Sequence, residues 1–163
     1  MKNAIRIILQ IFVWVWQLPQ LVVCAVWCLT QRPRFLYSHH NVLLFTCRFG
    51  GGVSFGPMTF YSERHRAALL SRNARVMPYL SHEYGHALDS RLFGPLYLFV
   101  IGIPSGVWLL ARRTLKSRCP VLENYYQFYT ERRANRHGGV EAVRARSGYY
   151  YLVETDRAKL HNC

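Results

Sequence analysis

The chain is poor in acid. Its 163 residues hold 8 Asp plus Glu against 21 Lys plus Arg, a formal net charge of +13. That balance points to an anionic partner, either a membrane surface or a nucleic acid. Nucleic acid is set aside, because helix-turn-helix, RNP-type and zinc-finger spacings are all missing. Cysteine is present but not in any paired arrangement. Cys24, Cys28, Cys47, Cys119 and Cys163 make an odd number with no C-x-x-C, which argues against a disulfide framework and against thiolate zinc ligation. Cys24 and Cys28 read instead as small membrane-facing residues. No G-K-[ST] follows Gly50-Gly51-Gly52, so that run is a turn and not a phosphate loop.

Apolar residues are plentiful. The chain is 51% hydrophobic and 15% aromatic, more than a soluble domain of this size easily hides. Ile7 to Gln31 contains no charged residue, and a helix of that length can cross the ~30 Å hydrocarbon core. Lys2 and Arg6 precede it; Arg32 and Arg34 follow. It lacks an A-x-A exit, and Leu21-Val22-Val23-Cys24 fails as a lipobox because Val23 is not small. Residues 1–34 are therefore expected to form a retained membrane anchor, kinked at Pro19. A second uncharged stretch, Leu92 to Ala111, is broken by Gly94-Pro95, Gly102, Pro104 and Gly106, and Arg112 and Arg113 follow it.

Between these stretches, Asn41 to Ser62 reads as β, with a hairpin closing across the three glycines. Glu63 to Arg75 is basic and partly helical. Pro78 suits the first turn of a helix carrying Leu80, His82, Glu83, His86 and Leu88. Val121 to His137 reads as another helix, ended by Gly138-Gly139. The expected class is α+β, mostly helical, with a small β-hairpin or sheet. The domain spans residues 35–140, and a basic tail, 141–163, carries Tyr149-Tyr150-Tyr151.

The chemistry lies in His82-Glu83-Tyr84-Gly85-His86. Histidines four apart on a helix share a face and can hold one zinc ion. Glu83, beside the first histidine, can reach a water at the metal and take its proton. A third protein ligand is still needed. No histidine falls between His86 and His137, and Asp89 lies awkwardly, one turn on along the same helix. Glu131 is the better candidate. With Ala134, Asn135 and Gly138 it makes an i, i+3, i+4, i+7 face whose small residues admit a close partner. Asn135 is placed to hydrogen-bond a ligating histidine from behind. His39, His40, His65, His137 and His161 have no partner at ligand spacing and read as surface residues.

H-E-x-x-H followed by E-x-x-A-[DN]-x-x-G resembles the glutamate-ligand zinc peptidases, the gluzincins. In more detail, His82 to His86, Gly94-Pro95-Leu96-Tyr97-Leu98, Gly102-Ile103-Pro104-Ser105, Phe128-Tyr129-Thr130-Glu131, Ala134-Asn135 and Gly138-Gly139-Val140 resemble a family of small bacterial membrane proteins. That likeness covers roughly residues 41–140, and the function of that family is itself inferred from these motifs. Arg133 and His137 depart from the apolar residues expected on the outer face of that helix. The resemblance implies a zincin-like domain holding Zn²⁺ through His82, His86 and Glu131, with Glu83 as general base.

The expected activity is therefore that of a membrane-bound zinc metallopeptidase acting on a peptide or protein. Tyr125, Tyr126 and Tyr129 are candidate oxyanion donors, and the Val53 to Phe60 strand could offer an edge to an extended substrate. Two alternatives stand: a non-catalytic membrane scaffold that retains the motif, and a site-2-type intramembrane protease. The second lacks its L-D-G-like aspartate here.

Topology sets a condition. If both apolar stretches crossed the bilayer, His82 and Glu131 would end on opposite sides. The shared site thus requires Leu92 to Ala111 to re-enter, with its bend at Gly102 to Gly106. Arginine density after the first stretch puts the site on the cytoplasmic face of a bacterial inner membrane.

Overall fold

The computed structural model describes residues 2–115 and 117–155. Two N-terminal helices, α1 (Lys2–Trp16) and α2 (Leu18–Gln31), lead into strands β1 (Arg34–His39), β2 (Val42–Cys47), β3 (Val53–Phe55) and β4 (Met58–Ser62). Short helix α3 (Arg66–Leu70), the long helix α4 (Met77–Phe93) and helix α5 (Ile103–Leu115) follow. Helix α6 (Tyr129–Gly138) and strands β5 (Val140–Arg144) and β6 (Tyr150–Glu154) complete an α+β, mostly helical chain.

The sheet order is β1-β2-β4-β3. Val42 to Cys47 is buried almost throughout, as expected of a central strand covered on both faces. On one face Cys24 and Trp27 of α2 pack on Phe45, Cys47 and Phe60. On the other, Leu69 of α3 and Leu80 of α4 pack on Leu44 and Tyr61.

This burial corrects the expected hairpin. β2 and β4 run parallel, with Leu43 opposite Met58 and Cys47 opposite Ser62. The glycine run carries the chain past β4 to the edge, where β3 pairs antiparallel with β4. The actual hairpin turn before β2 is His40-Asn41, both at positive φ (48° and 61°), the backbone of a type I′ turn. It pairs β2 with β1, a strand the sequence reading did not anticipate.

The N-terminal bend lies at Gln17, not Pro19. The two helices meet at 74° there, and Pro19 occupies the first turn of α2, where a missing N–H costs nothing. Gln17 and Gln20 are fully buried at this corner. Ser90 Oγ donates to Gln17 Oε1 (2.8 Å), and Gln20 Nε2 donates to the Gly94 carbonyl (2.8 Å). The corner is thereby fastened to the C-terminal end of α4. Gly94 takes φ +50°, and an added Cβ there would stand 2.0 Å from the Trp16 indole.

The second apolar stretch also differs from expectation. The break is at Gly94; from Leu98 the helix runs unbroken to Leu115, through a wide turn at Leu98–Gly102 that accommodates Pro104. The predicted bend at 102–106 is absent. The chain instead turns back after Leu115 and retraces α5. Trp108 Nε1 donates to the Tyr125 carbonyl (2.9 Å), the Trp108 ring stacks on Phe128 at 4.6 Å, and the Tyr129 hydroxyl donates to the Val100 carbonyl. Among the described residues one helix, Leu98–Leu115, is long and apolar enough to cross a membrane; α1 and α2 qualify only if the bent pair is counted as one span.

Helix α6 begins at Tyr129, eight residues later than the predicted start at Val121, because two 3₁₀ turns at Pro120–Leu122 and Tyr125–Gln127 fill the return arm. Gly139, at φ +67°, caps it. The described part of the expected basic tail, 141–155, forms with Val140 the β5–β6 hairpin, closed by Thr155 N–H on the Gly139 carbonyl. His161 lies outside the described residues.

Helices α4 and α6 cross at nearly backbone contact. A Cβ on Gly85 would lie 2.0 Å from the Ala134 carbonyl oxygen, and one on Gly138 would lie 2.1 Å from the Ser81 carbonyl oxygen. Neither backbone can yield without moving a helix. Gly85→Ala or Gly138→Ala should therefore cost about 3 kcal/mol of stability, as overpacked cores do. By contrast an added Cβ on Gly106 of α5 meets nothing within 4 Å. Gly106→Ala should gain up to ~1 kcal/mol from helix propensity. Denaturant unfolding of the three variants checks both signs.

Candidate metal centre

The close crossing brings the two parts of the motif together. His82 and His86, one turn apart on α4, are 5% and 7% exposed, and Glu131 in the first turn of α6 is fully buried. Glu131 Oε2 lies 3.2 Å from His82 Nε2 and 3.6 Å from His86 Nε2. The candidate ligand atoms of all three lie within 4.8 Å of one another.

The carboxylate is held asymmetrically. Its Oε1 accepts hydrogen bonds from Ser105 Oγ (2.5 Å) and Thr130 Oγ1 (3.0 Å). Its Oε2 makes no hydrogen bond among the described residues, although it is buried. Asn135 Oδ1 stands 2.6 Å from His82 Nδ1. An amide oxygen can only accept, so His82 carries its proton on Nδ1 and turns the Nε2 lone pair toward Glu131. A buried carboxylate oxygen and a nitrogen lone pair facing one another repel unless a proton or a cation lies between them. Two imidazoles and one carboxylate, with Asn135 behind His82 and two hydroxyls behind Glu131, form a group that could hold a metal ion. The residues fit such an ion.

Without a metal, protons fill that role. Burial opposes a charged His86, but the Glu131 carboxylate outweighs it and raises the imidazole above its ordinary value of 6.5. Burial likewise opposes the Glu131 charge, but His82 and His86 hold its carboxyl well below the usual 4.5.

Glu83 is held from the sheet. Ser54 Oγ on β3 donates to Glu83 Oε2 (2.8 Å) and accepts from Thr59 Oγ1 on β4 (3.0 Å). A Cβ on Gly52 would stand 2.3 Å from Glu83 Oε1, so the glycine run brings bare backbone over the carboxylate. Gly52, Ser54, Thr130 and Ser105 all act on the site and none was foreseen. Ser105 had been read as part of a bend, and a lone serine carries no periodicity that would reveal its partner.

Asp89 is not with the ligands. It is fully buried and pairs with Arg133 Nε (2.7 Å) and with His137 Nδ1 (3.6 Å). That pairing accounts for the two polar residues where apolar ones were expected: they clasp α6 to α4. It also makes His137 a half-buried partner and not a free surface residue. His40 and His65 are exposed, and His39 is half-buried.

The site opens onto a cavity of about 950 Å³ that Tyr125 and Tyr126 also line. The Tyr125 hydroxyl is 3.5 Å from Ser105 Oγ, and the Tyr126 ring meets His82 edge-on at 5.6 Å. Burial raises both phenols above their ordinary value, which keeps them protonated and able to donate. Tyr129 is the exception among the three candidates, its hydroxyl being committed to Val100. Comparison with known protein families, curated proteins and solved structures returns no match.

Asn135→Ala should weaken zinc binding about 10–100-fold, measured by competition with a chromophoric chelator. The metal-free site should also show a pH signature. The His86 contribution is fully present below 6.5 and is lost as pH rises through the raised value; the Glu131 contribution is present above 4.5 and is lost as pH falls through the depressed one. Metal-free protein should therefore lose thermal stability as pH rises above 6.5, while zinc-loaded protein should not. Parallel melting curves with and without zinc test this.

Proposed function

We propose that the protein is a membrane-associated zinc metallopeptidase. The observation that carries the reading is the unpaired, buried Glu131 Oε2 between the Nε2 atoms of His82 and His86. His82, His86 and Glu131 would hold the ion. When bound, zinc supplies Lewis acidity, polarising a carbonyl and acidifying water. Glu83, anchored by Ser54, takes the proton of the attacking water and returns it to the leaving amine. Tyr125 and Tyr126 donate toward the oxygen that gains charge. Edge strand β3, whose Val53 and Phe55 line the cavity, offers backbone pairing to an extended substrate.

Two features support a lipid surface as the protein's setting. Apolar side chains of α1, α2 and α5 stand exposed, among them Ile8, Phe12, Val26, Phe99 and Leu110, and arginines border them. The return arm argues against a full crossing by α5. It retraces α5 with irregular, polar backbone around Glu123 and Asn124, which hydrocarbon does not tolerate. Helix α5 would then lie in the interface with its arginines at the headgroups, on the cytoplasmic side by arginine density. The chain's return would then lie after Leu115 and not at 102–106.

Glu83→Gln should abolish peptide hydrolysis while leaving one zinc bound per chain, and Glu131→Ala should lose the zinc itself; equal zinc content in wild type and Glu131→Ala would remove Glu131 from the site. For topology, single cysteines at Ser71 and Ser117 should label from the same side of a sealed vesicle. Labelling from opposite sides would show that α5 crosses.

A further inference from the structure

The cavity lining is mostly apolar with a few cations. Val23 of α2 and Ile103 and Leu109 of α5 are among its apolar residues. Ile103 is also 55% exposed and shares α5 with the exposed Val107 and Leu110, so these lining residues are continuous with the apolar surface. His65, Arg75 and Arg113 also line the cavity and stand exposed, with Arg113 above Phe49 near the end of α5. Among the described residues, the carboxylates lining the cavity are Glu83 and Glu131, both belonging to the metal centre.

Gly106 lines the cavity, next to the Ser105 that holds Glu131. Unlike Gly85 and Gly138 it is not required by a close approach, since an added Cβ would meet nothing, and its φ is not positive. A helix pays in propensity for such a glycine. What the bare position leaves behind is room beside the site.

We propose that the ligand of this cavity is an amphiphilic peptide segment, with apolar side chains against Val23, Ile103 and Leu109 beside Gly106 and acidic groups meeting the lining arginines Arg75 and Arg113. This rests on the metallopeptidase reading for the claim that the bound segment is cleaved. The shape supports a peptide of a few residues, since the volume is at the upper end for ligand pockets. The charge supports acid, because the lining carries Arg75 and Arg113 and, among the described residues, no carboxylate outside the metal centre.

The test separates binding from turnover. Zinc-loaded Glu83→Gln protein, full length and in neutral lipid nanodiscs, is titrated with three fluorescein-labelled peptides of equal length. One has an apolar run ending in two Asp, one the same run ending in two Lys, and one a Ser/Gln run ending in two Asp. The first should bind at least about tenfold more tightly than either other, after subtraction of binding to empty nanodiscs. Gly106→Trp should remove most of the apolar preference and Gly106→Leu part of it, with zinc content unchanged and no loss of melting temperature. Arg75→Glu with Arg113→Glu should invert the preference between Asp and Lys ends. Equal affinity for the apolar and polar peptides, or no effect of either Gly106 variant, overturns the proposal. Tight binding in the expected order, with no cleavage by zinc-loaded wild type, sinks the peptidase reading and leaves the ligand class standing. Indiscriminate cleavage of all three peptides does the reverse.

Discussion

The structure depends on the backbone contact between α4 and α6. Gly85 under the Ala134 carbonyl, and Gly138 under that of Ser81, let the helix axes approach until side chains on facing turns meet. At any larger separation Glu131 would not reach both imidazoles. The same approach buries the Glu131 carboxylate, which makes its unpaired oxygen costly unless a proton or metal answers it. Close packing and metal affinity are thus one constraint, and the Asp89–Arg133–His137 cluster beside it fastens the two helices in that register.

Around this crossing the rest of the chain supplies fixed supports. The sheet holds Glu83 through Ser54 and Thr59, and α5 holds Glu131 through Ser105. Glu83, Glu131 and His82 are each oriented from an element other than their own, which preorganises the site. The N-terminal corner, with Gln17 and Gln20 buried against Ser90 and Gly94, ties the apolar helices to the far end of α4. Whatever surface α1 and α2 engage is mechanically joined to the helix that carries both histidines.

Much of the site was legible in the chain. The spacing of His82 and His86, the i, i+3, i+4, i+7 face from Glu131 to Gly138, and the role of Asn135 all follow from helical geometry. The strand pairing was not legible. A parallel β2–β4 pair leaves no local signature, because its partners are brought together by a connection that could equally have been a hairpin. Nor was the α5 return foreseen: glycine and proline suggested a bend at 102–106, but the wide turn before Pro104 absorbs the strain and the helix continues to Leu115.

The sequence by itself determined which atoms could serve as metal ligands, because side-chain chemistry and helical period are local. It also determined that the two halves must meet on one side of any membrane. Only the tertiary structure decided how they meet: which carboxylate oxygen stays free, which hydroxyls restrain the other, where the chain turns back, and what shape of cavity remains. Those are properties of contacts between distant segments, set by packing that no single stretch of the chain encodes.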